Sequence, residues 1–127
     1  MSENPVRDAI QEAIKDHEVI LFMKGTPERP MCGFSARTAA ALESLGAEYA
    51  AVDILPDPRI RQELSSISNW PTIPQLFVKG ELVGGCDIVT EMYESGELAT
   101  ALGVEQPSEA QAANAVEGAP LQIDNRL

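Results

Sequence analysis

Val19-Ile20-Leu21-Phe22-Met23 is the longest unbroken apolar run in the chain, and it is followed directly by Lys24-Gly25-Thr26-Pro27-Glu28-Arg29-Pro30-Met31-Cys32. Five apolar residues in a row have the length and composition of a strand buried on both faces, as in a parallel sheet. Gly25, Pro27 and Pro30 then mark a loop. Phe34, Thr38, Ala41, Leu42 and Leu45 recur at helical spacing, with Gly46 as a C-terminal stop. Cys32 therefore belongs to a strand–loop–helix junction.

Working outward, Asn4-Pro5 reads as an N-cap and first helical residue, and Val6, Ala9, Ile10, Ala13 and Ile14 give a first helix ending near Asp16. Tyr49–Ile54 reads as a second strand. Asp57-Pro58 opens a third helix carrying Ile60, Leu64 and Ile67. Pro71-Thr72-Ile73-Pro74 blocks a helix. Gln75–Val78 and Glu81–Val83 flank the two-residue turn Lys79-Gly80. Gly84-Gly85-Cys86 is a corner, and Asp87 caps a fourth helix with Ile88, Met92 and, after Gly96, Leu98 and Leu102. The order α-β-α-β-α-β-β-α predicts a four-stranded mixed sheet covered on both faces, its helix-separated strands parallel and its last two a hairpin.

The 127 residues suit one domain, expected over residues 1–104. From 105 to 127 the composition shifts to Ala, Gln, Glu, Asn and Pro without an apolar stripe. That segment reads as a mobile tail, or alternatively as a docking peptide anchored by Leu121 and Ile123.

A net charge of −11 argues against a duplex nucleic-acid partner and against an anionic membrane surface. No run approaches the roughly 20 apolar residues of a membrane span. The start, MSENPVRDAI, lacks the regions of a secretory signal. Two cysteines are too few for a disulfide scaffold. A reducing, cytoplasmic setting is expected.

At a helix start, unpaired N–H groups and the dipole stabilise a thiolate, and Lys24 stands nearby, so Cys32 is expected to be acidic and accessible rather than a small core hydrophobe. Three residues on, where a two-cysteine redox site has its resolving thiol, stands Ser35. Cys32 therefore exchanges with an external thiol, binds metal, or does both. His17 sits at a helix end and is set aside as a ligand. No second histidine or cysteine pair offers a closed zinc site. Residues 24–61 are charge-neutral, whereas 62–104 set only Lys79 against six acids, so the cations gather around Cys32 in sequence.

Cys32-Gly33-Phe34-Ser35 resembles the signature of monothiol glutaredoxins. Phe22-Met23-Lys24-Gly25-Thr26-Pro27 precedes it, and Trp70-Pro71-Thr72-Ile73-Pro74 and Gly84-Gly85-Cys86-Asp87 follow in the family's order. The resemblance covers roughly residues 5–104. It implies a thioredoxin-like three-layer α/β/α fold with a four-stranded mixed sheet, and a cis peptide before Pro74. It also implies a glutathione site in which Lys24 and Arg61 hold the glycyl carboxylate. Ile73 offers its backbone to the cysteinyl part, and Cys86 and Asp87 hold the γ-glutamyl end. Read singly, Asp87 is a plain N-cap, Arg61 a solvated helix residue, and Phe34 and Trp70 packing residues. The resemblance further implies that Cys32 ligates a 2Fe–2S cluster bridging two subunits, with two glutathiones completing the set. Family members act in iron–sulfur trafficking and iron homeostasis, often with BolA-like partners and apo acceptor proteins. The alternative is a glutathione-dependent oxidoreductase that removes glutathione from proteins, at most weakly active without a second motif thiol. Whether Cys86 pairs with Cys32 depends on a Cα separation under about 7 Å.

Overall fold

A computed structural model of the chain describes residues 4–104. The expected tail lies outside the described residues.

The elements run α1 (Pro5–Asp16), β1 (Val19–Met23), α2 (Gly33–Ser44), β2 (Ala50–Asp53), α3 (Pro58–Ser68), β3 (Gln75–Val78), β4 (Glu81–Gly84), α4 (Cys86–Ser95) and α5 (Glu97–Leu102). The caps of the first and third helices follow local chemistry. The Asn4 carboxamide oxygen accepts the Arg7 N–H at 3.0 Å, the Asp57 carboxylate accepts the Arg59 N–H at 3.0 Å, and Pro5 and Pro58 fill first-turn positions that need no donor. The single fourth helix expected from sequence is two. Gly96, at φ 88°, is left-handed, which ends α4 and starts α5.

The sheet order is β2-β1-β3-β4. β1 and β2 are parallel, with Met23 opposite Asp53, and β3 is antiparallel to both β1 and β4. All five β1 residues are buried, as a central strand requires. Successive side chains alternate between faces. Val19, Leu21 and Met23 join Leu42, Leu76, Val89 and Leu98 in the core under α2, α4 and α5. Ile20 and Phe22 join Ile10, Ile14, Leu64 and Phe77 under α1 and α3. The result is the three-layer α/β/α sandwich with a mixed four-stranded sheet expected from the sequence. Lys79 (φ 54°) and Gly80 (φ 82°) both take positive φ, the requirement of a tight β3–β4 turn.

One consequence of the strand directions positions everything below. β1 and β2 end, β3 begins and β4 ends at the same edge of the sheet, with Phe22 opposite Gln75 and Leu76 opposite Gly84. Four segments distant in sequence therefore meet there. Among the described residues no helix is long and apolar enough to cross a membrane.

Candidate functional site

At that edge lies a cavity of about 440 Å³ that Lys24, Cys32, Arg61, Ile73, Cys86 and Asp87 all border. These are the six residues singled out from the sequence. Its volume falls within the range of small-ligand sites. Lys24 and Arg61 also border a neighbouring depression of about 790 Å³ toward Leu55 and Pro58. The smaller cavity is the one with chemistry, because it holds the thiol.

Cys32 is the N-cap of α2, with extended backbone (φ −155°, ψ 136°), and its side chain is partly exposed. Its pKa lies below that of an ordinary thiol. The backbone N–H of Ser35 contributes most to this. Partial burial opposes it, and the Phe34 N–H, the Lys24 charge and the Ser35 hydroxyl add to it. These are the free donors and positive field of a helix start acting on one sulfur.

Ser35 is wholly buried, and its hydroxyl oxygen accepts the Lys24 backbone N–H at 3.0 Å. The hydroxyl thereby ties the end of β1 to the first turn of α2, and its proton remains free to face Cys32. The intervening loop is held as a small ribbon. The Met31 N–H donates to the Lys24 carbonyl at 2.9 Å, and the Thr26 and Arg29 backbones exchange bonds at 3.2 and 3.0 Å. Gly25 has φ 88°, and a Cβ there would stand 2.5 Å from the Arg29 oxygen, so this narrow ribbon admits only glycine. Asp53, at the end of β2, accepts the Gly25 and Leu55 N–H groups on one oxygen, at 2.9 and 3.0 Å.

The opposite wall is the segment from Trp70 to Pro74, where the Ile73–Pro74 peptide is cis. The Arg61 guanidinium reaches the Pro71 carbonyl at 3.5 Å. Gly85 closes the cavity. A Cβ on it would lie 3.1 Å from the Trp70 indole nitrogen and 3.3 Å from the Pro74 oxygen.

Three placements differ from the sequence reading. Asp87 is not the cap of α4. Gly85 is the cap, Cys86 opens the helix, and Asp87 sits in its first turn with its charge at the positive end of the helix. A side chain at this cap would crowd the indole and the Pro74 carbonyl, so glycine is favoured there. Phe34, expected in the core, is 56% exposed and forms part of the cavity mouth. Trp70, expected to pack beside the loop, forms cavity wall. Cys86 is buried, with its sulfur 3.9 Å from the Thr90 hydroxyl, and both cysteines are free thiols. The sequence reading missed Gln75, whose buried carboxamide reaches the Trp70 and Thr72 carbonyls. The signal was present in a polar residue opening an otherwise apolar strand.

Among the described residues no group of three or more His, Cys, Asp or Glu side chains could hold a metal ion. A metal centre at Cys32 would thus need ligands from outside these residues.

The family model described as Glutaredoxin matches residues 19–83. A "Probable monothiol glutaredoxin 2" of Rickettsia felis is 52% identical over 98 residues, 77% of this chain and 94% of that protein. "Glutaredoxin 4" of Escherichia coli K12 is 56% identical over 91 residues, 72% of this chain and 79% of that protein. Among solved structures, a monomeric truncated mutant of Trypanosoma brucei 1-C-Grx1 superposes with a TM-score of 0.71 at 48% identity, covering 78% of this chain and 93% of that one. The chain belongs to the glutaredoxin family, on its monothiol side, and carries one motif cysteine with a buried serine three residues on.

Proposed function

We propose that this glutaredoxin carries a labile 2Fe–2S cluster as cargo, bound by Cys32 from each of two chains and by the thiols of two glutathione molecules. The observation that carries the reading is an acidic, accessible Cys32 thiol sharing one cavity with Lys24, Arg61 and Asp87, while a buried hydroxyl occupies the place of a second thiol. Glutathione has two carboxylates and one ammonium. Lys24 and Arg61 suit the glycyl carboxylate. The N–H groups of Cys86 and Asp87 suit the γ-glutamyl carboxylate, and the Asp87 side chain suits its ammonium. The Ile73 main chain pairs with the cysteinyl portion, in the manner of a strand added to an open edge.

On this reading the chain supplies one thiolate, and the small molecule supplies the ligands that the described residues do not. Half of the ligand set is exchangeable, so the cluster can leave for an apo iron–sulfur protein, directly or with a BolA-like partner. The setting is cytoplasmic iron homeostasis.

The same acidic thiol favours a second reading. Its thiolate attacks the glutathione sulfur of a mixed disulfide and expels the protein thiolate. A free glutathione thiolate then attacks that sulfur, restoring Cys32 and releasing glutathione disulfide.

Anaerobic reconstitution with iron, sulfide and glutathione separates the two. The carrier reading expects visible absorption that is lost in Cys32→Ser and lost when glutathione is omitted. Equal loading without glutathione overturns it. Rapid turnover of a glutathionylated peptide by a chain that takes up no iron favours the enzyme.

A further inference from the structure

Gln75 is the first residue of β3 and is wholly buried. By strand alternation it lies on the face of Phe77, which belongs to the apolar core under α1 and α3. A carboxamide buried at the edge of such a core costs stability unless all its polar atoms are paired. Here they are not. The Gln75 nitrogen donates to the Trp70 carbonyl at 3.0 Å and to the Thr72 carbonyl at 3.1 Å, while its oxygen is buried without a partner among the described residues. Both amide protons are spent on one loop, and the oxygen is left unsatisfied.

That loop is poor in donors of its own, since Pro71 and Pro74 have no N–H. It bounds the cavity through Trp70, Thr72, Ile73 and Pro74, and its Pro71 carbonyl also receives Arg61. Thr72 is exposed and Trp70 half-buried, so without Gln75 the Thr72 carbonyl can turn to water. An apolar replacement of Gln75 also removes its unsatisfied oxygen, which offsets the loss of these two bonds, so the stability of the fold depends little on this amide. The loop's fixed course does depend on it.

We infer that Gln75 is a positioning residue: its carboxamide clamps the Trp70–Thr72 carbonyls from below and thereby fixes the Ile73 main chain and the Trp70 wall in the ligand-ready arrangement. This rests on the glutathione reading proposed above. It says which buried side chain, itself touching no ligand, sets the affinity.

The test uses the full chain with Gln75→Leu, which fills the space and removes both donors, and Gln75→Glu, which keeps the shape and leaves at most one donor for the two carbonyls. Trp70 is the only tryptophan, so its fluorescence reports on the loop directly. For Gln75→Leu the expected results are an unchanged or raised melting temperature, acrylamide quenching of Trp70 increased about twofold, and glutathione affinity reduced about tenfold. The pH profile of Cys32 alkylation stays where it is. Gln75→Glu repeats the quenching and affinity changes. Unchanged quenching in both variants overturns the clamp, as does an affinity loss that appears only together with a shifted alkylation profile or a collapsed melting temperature. If the unaltered chain fails to bind glutathione, the functional reading falls, and Trp70 quenching alone still decides for or against the clamp.

Discussion

Cys32 and Ser35 act as a unit. Ser35 contributes a backbone N–H and a hydroxyl to the sulfur, and its oxygen holds Lys24. Alkylation of Cys32 should therefore rise with pH through a midpoint below that of a free thiol near 8.5, measured by iodoacetamide rates across pH. Ser35→Ala should move that midpoint upward and slow alkylation at pH 7. Leaving the Lys24 N–H unpaired should also cost about 1–3 kcal/mol in urea unfolding. The linkage has a definite sign. An acid whose folded pKa is lowered stabilises the fold above its unfolded value and loses that contribution as pH falls through the folded one. The thiol thus favours the fold at alkaline pH, and the Cys32→Ala variant should lack this dependence. That Cys32 begins a helix could be read from the loop residues before it. That Phe34 is exposed could not, because helical spacing tells which face is apolar but not how far along the axis the core extends.

At the level of elements, one carboxylate joins two chain segments. Asp53 holds Gly25 against the end of β2, and so fixes the course of the backbone that carries Lys24. Asp53→Ala should cost about 1–3 kcal/mol of stability, since hydrogen bonds to a charged acceptor are the stronger kind, and should weaken glutathione binding measured by calorimetry. An isosteric Asp53→Asn should recover part of both, because its carbonyl oxygen still accepts. The element order, the buried β1 and the Lys79-Gly80 turn were legible from apolar runs and turn residues. The start of α4 was misplaced for a physical reason. Asp87 has the better intrinsic capping chemistry, yet the helix starts at Gly85, where Trp70, far away in sequence, lies close against the backbone. Local preference lost to a contact made by folding.

Over the whole molecule, charge and exposed apolar surface act against each other. Each chain carries −11, so two chains repel at long range. Met31, 63% exposed, and Phe34, 56% exposed, flank Cys32 and offer apolar contact to the second chain in the pairing proposed above. Gel filtration of the loaded protein should give about twice the 13.7 kDa of one chain. The share of that form should increase from low to moderate salt as the repulsion is screened. Met31→Asp should reduce it while leaving glutathione affinity within about twofold.

The pairing of Phe22 with Gln75 joins chain synthesised early to chain synthesised late. Lys24 and Cys32 leave the ribosome first, whereas the Trp70–Pro74 wall and the Gly85–Asp87 corner follow tens of residues afterwards. A chain that ends between them carries the thiol but lacks the wall and the corner that complete its cavity. The cavity is therefore complete only once the chain has been made past the last strand, to the first turn of α4.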